Sequence, residues 1–389
     1  MNEILKGVRV LELANVLAGP SVGQFLAESG AQVIKIENPA TRGDVTRSWK
    51  LNKEEGETDV SAYFSAVNSG KLSVALDVQN PDHYAALIDL VKVSDIVIAS
   101  YKMGDAEKLR VDAATFRSHN RSLIYGKISG YGDQNSKVGY DAILQAETGF
   151  MFMNGEPGGK SVKMPVALID ILAAHQLKEA ILLAYIHRLK TGKGAEVSVS
   201  LFDAAISSLA NQATNYLLAG HNPKKMGSEH PNIAPYGSIF TCQDGAKIVI
   251  AVGTDKQFEA LTKVLGLSNL MSEKFSNNST RVKNREQLNA LLQNAFAKEE
   301  ASVLLTRLDA VHVPSGKLQS VQEVFASGKA NHLLIESGLK TVGLRNFIAK
   351  MDKYEIPSHI APPPSLNQHA NYLFTKILGY SEEEKKKLE

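Results

Sequence analysis

Short apolar runs alternate with helix-length segments over the first 130 residues of the chain. We predict strands over residues 8–14, 31–37, 72–78, 95–100 and 123–129. Helices are predicted between the first two strands and over residues 82–93. A strand, a helix and a strand within about 30 residues form a βαβ unit with parallel strands and a right-handed crossover. The repetition of this unit predicts an α/β fold with a doubly wound, Rossmann-like sheet.

A single carboxylate, Asp170, stands where a proline-broken apolar run passes into a long apolar segment. Pro165 disfavours a helix in the residue before it, so we expect the helix to begin near Asp170. Good helix formers continue to Lys190, and Thr191-Gly192 ends the helix. Because this helix is apolar almost all round, we expect it to be buried, with Asp170 in a mostly dry place.

The local sequence leaves two interpretations of Asp170 open. The first is a helix N-cap, a common role for Asp that stabilises a helix by about 1 kcal/mol. The second is a carboxylate nucleophile at a helix start, where free N–H groups favour negative charge. Local sequence alone favours the cap.

The pattern changes beyond this helix. A strand is predicted over residues 196–201 and one helix over residues 203–219. The segment 221–236 is rich in Gly, Pro, His and Asn, which is typical of a loop. It is followed by a strand at residues 246–252 and by helices at 255–265, 285–298 and 301–311. This later part indicates a smaller α+β domain of roughly 100 residues.

Composition narrows the class of protein. At 389 residues with 44% hydrophobic content, the chain is long enough to bury a large core, and we expect two domains. A formal net charge of +2 argues against nucleic acid or an anionic membrane as partner. The single cysteine, Cys242, excludes an internal disulfide and is typical of a reducing compartment. Without a signal-peptide pattern or an apolar stretch of about 18 residues, we expect a soluble, cytoplasmic protein.

The sequence gives little support for a dinucleotide-binding site, a metal site or a Ser-His-Asp triad. Gly19 and Gly23 form no G-x-G-x-x-G motif, so a nicotinamide-dependent dehydrogenase is a weak interpretation. The ten His residues show no metal-ligand spacing near Asp, Glu or Cys, so no metal site is expected. Ser-His-Asp catalysis lacks the G-x-S-x-G elbow.

Several weak motifs occur in one order along essentially the whole chain. They include Val16-Leu17-Ala18-Gly19-Pro20, Tyr63-Phe64 with Asn68 and Lys71, Gly130-Tyr131-Gly132, Gly139-Tyr140-Asp141 with Gln145, and Lys190-Thr191-Gly192-Lys193-Gly194. Each is unspecific by itself. Together they make the chain similar to the class III CoA-transferases, of the formyl-CoA transferase and carnitine CoA-transferase type.

This resemblance implies that Asp170 is the catalytic nucleophile. In such a cycle Asp170 attacks a donor acyl-CoA thioester, giving an aspartyl–acyl anhydride and CoA thiolate. The thiolate attacks the aspartyl carbonyl, releasing the donor acid and leaving an aspartyl–CoA thioester, and the acceptor acid then reverses the sequence. A carboxylate forms both links reversibly, and a dry helix behind it limits hydrolysis. With the resemblance, the nucleophile outweighs the cap, although the two roles are compatible.

The resemblance also implies a set of CoA contacts. These are Val16, Leu17, Asn38, Leu76, Asp77, Val78, Gln79, Ser100, Tyr101, Lys102, Lys108 and Tyr131. Some relatives have Arg at the position of Asn38 and Lys at that of Gln79, so phosphate or adenine contacts are redistributed here. Lys108, Lys102 and Lys71 are candidates for phosphate binding, against the alternative that each is a solvated lysine.

Three residues are implied to contact the acyl substrate. Trp49, the only Trp, stands in a polar loop and is either a wall of the acyl pocket or a packing residue. Tyr140 occupies the position at which related 2-methylacyl-CoA racemases have His, which argues against α-proton exchange. The loop 227–236 is not Gly-rich and resembles that of enzymes moving CoA between succinate and dicarboxylic acids such as glutarate. His230 in this loop is either a donor to a distal carboxylate or a residue that caps backbone carbonyls.

The resemblance finally implies an interlocked homodimer. Residues 1–222 with 328–389 are expected to form the large domain, and residues 223–327 the small one. A CoA thioester is then the substrate, with a carboxylic acid as second substrate and no permanently bound cofactor. We hypothesise a CoA-transferase that uses succinyl-CoA or a related donor. A 2-methylacyl-CoA racemase and a non-catalytic CoA-binding protein are the alternatives.

Overall fold

The computed structural model describes residues 3–54, 56, 58–271, 273–352 and 359–388. The chain divides into two compact units, each built from more than one stretch of sequence. The first unit comprises Met1–Thr148, Met164–Ala210 and Asn331–Glu389, and the second comprises Gly149–Lys163 and Asn211–Ala330.

The first unit contains a six-stranded sheet in which all neighbouring strands are parallel. Its strands are β1 (Arg9–Leu13), β2 (Gln32–Glu37), β3 (Lys71–Ala75), β4 (Ile96–Ala99), β5 (Ile124–Ser129) and β6 (Glu196–Ser200). Their order is β3-β2-β1-β4-β5-β6. The predicted doubly wound parallel sheet is therefore confirmed. The order reverses between β1 and β4, and a crevice opens at such a point beside the carboxyl ends of the strands.

Helices cover the sheet of the first unit, which explains why its strands are nearly continuous apolar runs. Val10, Leu11, Ile34 and Val97 are all fully buried. The α-helices span Ala18–Glu28, Ala62–Ser65, Pro81–Lys92, Asp105–Lys108, Ala113–His119, Asp141–Glu147, Leu168–Thr191, Leu201–Ser207, Ala370–Tyr372 and Glu382–Lys386. Shorter elements are 3-10 turns at Pro39–Thr41, Val45–Ser48 and Asn331–Leu333, a π-helical turn at Leu373–Ile377 and a hairpin of Leu334–Ser337 with Lys340–Leu344.

The helix Leu168–Thr191, here called the site helix, begins two residues before the predicted start at Asp170. Its end is as predicted, with Gly192 in a left-handed conformation at φ 71°. One face is buried through residues spaced four apart, namely Ile169, Ala173, Leu177 and Ile181. The opposite face exposes Leu182, Leu183, Ile186 and Leu189. The expectation of burial all round is thus wrong for the single chain, because only one side of the helix packs on the sheet.

The first boundary between the two units lies earlier in the sequence than expected. The predicted helix 203–219 is split into Leu201–Ser207 and Asn211–Ala219, with Ala210 in a left-handed conformation (φ 48°) between them. The units divide at 210/211 and 330/331, rather than at the expected 222/223 and 327/328. Residues 149–163 also belong to the second unit, where the N–H of Gly227 donates to the carbonyl of Gly155 at 2.8 Å.

The second unit combines a small antiparallel sheet with helices. The sheet has the order β7 (Tyr236–Thr241), β8 (Lys247–Ala251) and β9 (Ser315–Lys317). Its helices span Phe150–Met153, Asn211–Ala219, Asp255–Val264, Asn278–Lys283, Arg285–Phe296, Ala301–Ala310 and Val321–Ala326, with a 3-10 turn at Ser268–Leu270. A separate apolar core lies between sheet and helices, around Ile248, Phe258 and Leu292. Over the part of the chain that the structure describes, no helix has the length and apolarity needed to cross a membrane.

We predict that Leu177→Ala lowers the free energy of unfolding by about 2–5 kcal/mol, because it leaves a cavity where the site helix packs on β5. A Cβ built on Gly126 of β5 would lie 3.3 Å from a methyl carbon of Leu177, so the two elements are already in close contact. Urea titration measures the change. Leu339→Ala, at a fully exposed leucine, is the matched control and should change stability by less than about 0.5 kcal/mol. Equal losses in both variants would contradict this packing.

Candidate active site

Asp170 lies in the first turn of the site helix, as its third residue. The N-cap residue is Ala167, whose side chain carries no hydrogen-bonding group. The N-cap interpretation of Asp170 is therefore wrong. The N–H of Ile169 instead donates to the carboxylate of Asp141 at 2.9 Å. The side chain of Asp170 therefore does not serve as the N-cap of its own helix.

The electrostatic setting of Asp170 is unusual for an acid. Burial, and after it the negative charge of Asp141, raise the pKa of Asp170 to about 7. Burial acts because the charged form is poorly solvated, and Asp141 acts by repulsion between like charges. A carboxylate of this basicity is half ionised near neutral pH and is a stronger nucleophile than an ordinary aspartate. Perturbed acids of this kind cluster at functional sites.

Gln145 fixes the turn that presents Asp170. It is fully buried, and its carbonyl oxygen accepts from the N–H of Met164 at 2.8 Å. Its amide nitrogen donates to Asp141 at 2.8 Å and to the carbonyls of Met164 and Val166, both at 3.4 Å. Asp141 and Gln145 therefore tie the helix Asp141–Glu147 to the segment before the site helix. The sequence motif contained both residues, but nothing in their spacing assigned them this role.

Tyr63, which the sequence shows only as part of the Tyr63-Phe64 motif, is a further functional candidate. Its pKa is raised by burial first and then by the charges of Asp170, Asp141 and Asp44, so it lies in the field of these carboxylates. The ring of Trp49 meets the ring of Tyr63 edge-on, with centroids 5.1 Å apart. Trp49 is 42% exposed and is therefore a partly open surface beside Tyr63 rather than a core residue.

Two cavities open beside the carboxyl ends of the strands, where α/β sheets bind their ligands. One has a volume of about 210 Å³ and is lined by Asn15, Asn38, Leu76, Val78 and other residues. The second, of about 230 Å³, is lined by Lys102 among others, and Ser100 and Tyr101 line both. Six of the twelve predicted CoA contacts thus line these cavities: Asn38, Leu76, Val78, Ser100, Tyr101 and Lys102.

The other predicted CoA contacts lie at or beyond the cavity edges. Val16 and Leu17 follow Asn15, and Tyr131 lies between Gly130 and Gly132, which line the second cavity. The carboxylate of Asp77 accepts from the N–H of Gln79 at 2.9 Å, which closes a turn after β3. Lys108 is largely exposed and pairs with Asp105 at 3.5 Å.

Lys71 is not available to a phosphate. It is 1% exposed, and its ammonium group contacts Glu12, Asn68 and the carbonyl of Pro20. Both interpretations of Lys71 from the sequence, a phosphate contact and a solvated lysine, are therefore wrong. Asn38 has a structural bond of its own, since its amide oxygen accepts from the N–H of Ala40 at 2.9 Å.

Tyr131 and Tyr140 lie on two loops that meet at glycines. A Cβ at Gly139 would lie 2.4 Å from the Cα of Gly130, so both positions require glycine for the close approach of their backbones. Tyr140 precedes the helix Asp141–Glu147 and is 63% exposed. The hydroxyl of Tyr131 donates to Glu147 at 2.6 Å.

His230 belongs to the second unit. Its Nδ1 accepts from the N–H of Asn232 at 3.1 Å, and its ring meets that of Tyr236 edge-on at 5.3 Å. His230 therefore does not cap a backbone carbonyl through Nδ1. Its contact with the substrate stays a prediction from the sequence.

The chain matches known proteins over nearly its full length. It is 37% identical to a succinate–glutarate CoA-transferase of Agrobacterium fabrum, covering 96% of this chain and 95% of that protein. It is 32% identical to a human succinyl-CoA:glutarate CoA-transferase, covering 98% of this chain and 88% of that protein. A solved CAIB/BAIF family protein from Brucella suis aligns with a TM-score of 0.84 at 37% identity, covering 97% of this chain and all of that one.

Asp170 is a carboxylate of raised pKa in the first turn of a long helix. The similarities to known proteins specify the class as CoA-transferases. The model of CoA-transferase family III matches residues 5–370. The chain belongs to this family and is a class III CoA-transferase. The resemblance recognised from the sequence motifs is confirmed.

We predict that Asp141→Asn shifts the acidic limb of the pH profile of kcat/KM to lower pH. A carboxylate attacks in its ionised form, and the charge of Asp141 is one cause of the raised pKa of Asp170. Removal of that charge therefore favours the ionised form of Asp170 at lower pH. Glu147→Gln, which removes a carboxylate from the same helix, is the control and should leave the limb in place. A limb that stays unmoved, or moves to higher pH, in Asp141→Asn would refute the coupling.

We also predict that Asp170→Asn removes a pH-dependent loss of stability. The pKa of Asp170 in the folded state is about 7 and lies above its ordinary value of 3.8, so the unfolded state ionises first as pH rises. The wild-type protein therefore loses stability between about pH 4 and 7 through this group. Thermal unfolding at pH 4.5 and pH 8 should show a smaller difference in Tm for Asp170→Asn than for the wild type. Asp309→Asn, at an exposed aspartate, should match the wild type.

Proposed function

We propose that this protein transfers CoA from succinyl-CoA or a related dicarboxyl-CoA to a carboxylic acid, with Asp170 as covalent nucleophile. The observation that carries the proposal is the raised pKa of Asp170, about 7, at the start of a helix whose turn is fixed by Asp141 and Gln145. The substrate class is supported by the relatives, which are named for succinyl-CoA, succinate and glutarate.

In the first half of the cycle, a carboxylate oxygen of Asp170 attacks the thioester carbonyl carbon. The C–S bond breaks, CoA leaves as thiolate, and an aspartyl–acyl anhydride remains. The thiolate then attacks the aspartyl carbonyl, the anhydride C–O bond on that carbon breaks, and the donor acid leaves as its carboxylate. An aspartyl–CoA thioester is the product of this half.

In the second half, the acceptor carboxylate attacks the aspartyl thioester, and CoA again leaves as thiolate. The thiolate attacks the acceptor's acyl carbon, which forms the new acyl-CoA and returns Asp170 to its carboxylate form. No net proton is taken up or released. The site must exclude water, because anhydride and thioester both hydrolyse, and the buried face of the site helix supports this requirement.

The CoA moiety is proposed to occupy the crevice at the carboxyl ends of the strands. Its contacts would be the cavity residues Asn38, Leu76, Val78, Ser100, Tyr101 and Lys102, with Val16, Leu17, Asp77, Gln79, Lys108 and Tyr131 around them. Lys102 is suited to a phosphate, because its ammonium group can provide charge at the cavity wall. The acyl group is proposed to lie against Trp49 and Tyr63, beside Asp170.

The protein is also proposed to act as a homodimer. The site helix exposes four large apolar side chains on its outer face: Leu182, Leu183, Ile186 and Leu189. A second apolar group of Tyr216, Leu217 and Leu218 is exposed on the helix Asn211–Ala219. Contiguous apolar patches on a protein surface mark interaction sites, and a second copy of the chain would cover both. The interlocked form stays a prediction from the resemblance.

The central experiment compares wild type, Asp170→Ala and Asp203→Ala in transfer assays that use succinyl-CoA and a panel of mono- and dicarboxylic acids. We expect Asp170→Ala to abolish transfer and Asp203→Ala, a control at a helix start distant in sequence, to retain it. Intact-protein mass spectrometry of the wild type with succinyl-CoA should show a covalent CoA adduct that is absent from Asp170→Ala.

The same assays separate the alternatives. Survival of the wild-type rate in Asp170→Ala would refute the nucleophile. Deuterium uptake at the α-carbon of a 2-methylacyl-CoA in deuterium oxide, with no acceptor acid present, would identify a racemase. Binding of succinyl-CoA by calorimetry without any exchange among the acids would identify a CoA-binding protein.

A further inference from the structure

The segment Ala14–Pro20, which comprises the loop after β1 and the first residues of the helix Ala18–Glu28, is here called the β1 loop. Asn15 within it lines a cavity of the crevice. Two lysines from the interior of the sheet hold its ends. The ammonium group of Lys35 donates to the carbonyl of Ala14 at 2.8 Å. That of Lys71 donates to the carbonyl of Pro20 at 2.9 Å. Both lysines are at most 1% exposed, so the loop is anchored from within the protein.

Between these anchors, Val16 adopts a left-handed conformation with φ 71°. For a β-branched residue this conformation is strained and persists only where its surroundings impose it. The N–H of Val16 donates to both oxygens of the Asp44 carboxylate, at 3.2 and 3.3 Å. Asp44 is 1% exposed, and this bond is the contact that constrains the strained residue.

Asp44 has a second set of bonds on the opposite side. Its Oδ1 accepts from the N–H and the hydroxyl of Thr46, at 3.0 and 2.8 Å, and so caps the 3-10 turn Val45–Ser48. That turn ends at Trp49, whose N–H donates to the carbonyl of Thr46 at 3.1 Å. One carboxylate therefore joins the β1 loop to the turn that carries Trp49.

The charges around Asp44 form a buried network of three acids and three bases, all at most 5% exposed: Glu12, Glu37, Asp44, Lys35, Arg47 and Lys71. Burial pushes the pKa of Asp44 upward, but Lys35 and Thr46 outweigh this and hold it below its ordinary value. Asp44 is thus a charged acceptor at neutral pH. Buried ion pairs contribute little net stability relative to apolar packing. A gain in stability therefore does not explain this network, whereas the positioning of the bonded segments does.

We propose that Asp44 is a positioning residue for CoA transfer. It sets the β1 loop, which contains the predicted CoA contacts Val16 and Leu17, in fixed register with the Trp49 turn at the predicted acyl pocket. The proposal rests on the proposed function. Without this carboxylate, Val16 relaxes toward ordinary backbone angles, and the thioester is held less well in front of Asp170.

Two variants of Asp44 distinguish the effect of its negative charge from the effect of the position of its carboxylate. Asp44→Asn keeps the size of the side chain and removes the charge, whereas Asp44→Glu keeps the charge and displaces the carboxylate by one methylene. We expect each to raise KM for succinyl-CoA about tenfold or more, with a smaller change in kcat, because misplacement weakens productive binding. A purely structural role would reduce the amount of active enzyme and so lower the apparent kcat with KM unchanged. If Asp44→Asn does not fold, Asp44→Glu, which keeps the pair with Lys35, carries the same expectation.

A rescue experiment tests whether Asp44 acts by holding the backbone of Val16 in its left-handed conformation. Glycine occupies φ 71° without strain, so adding Val16→Gly to Asp44→Asn should recover part of the lost KM. Adding Ala210→Gly, which relieves another left-handed residue (φ 48°), is the matched control and should recover none. An Asp44→Asn enzyme with wild-type KM, or equal recovery by both glycines, would overturn the positioning role. A wild-type protein without transfer from succinyl-CoA would instead overturn the proposed function.

Discussion

The parallel arrangement of the six strands is the constraint on which the rest of the site depends. Because all strands run in one direction, their carboxyl ends meet at one edge, and the loops that follow them share one crevice. The β1 loop, the turn after β3 and residues 100–102 after β4 come together there without being near one another in sequence. Ligands of open α/β sheets bind at such a set of loops.

The pKa of Asp170 reflects two opposing requirements. The proposed attack on a thioester requires an ionised carboxylate, while the burial of Asp170 and the nearby charge of Asp141 favour the protonated form. A pKa of about 7 satisfies both, since the group is half ionised at neutral pH and more basic than a solvated aspartate. Asp141 takes part twice, because the carboxylate that repels the charge on Asp170 also accepts from the N–H of Ile169 and secures the helix start.

Two buried polar networks position the segments around the site. Gln145 and Asp141 orient the start of the site helix, and with it Asp170, through backbone atoms of Met164 and Ile169. Asp44, Lys35 and Lys71 do the same for the β1 loop. In both cases a buried side chain bonds to main-chain atoms, which fixes geometry more tightly than contacts between two flexible side chains.

The sequence by itself determined the strand pattern and the family, because apolar periodicity and ordered motifs can be read directly along the chain. It placed the start of the site helix two residues late, at Asp170, since the carboxylate that accepts from the N–H of Ile169 belongs to Asp141, 28 residues earlier in the chain. It also left Lys71 as either a phosphate contact or a solvated lysine, because nothing local reveals that Glu12, 59 residues away, pairs with it in the interior. The bond from Val16 to Asp44 spans 28 residues in the same way. Tertiary structure alone decides such pairings, because hydrogen bonds between distant positions leave no periodic trace in the sequence.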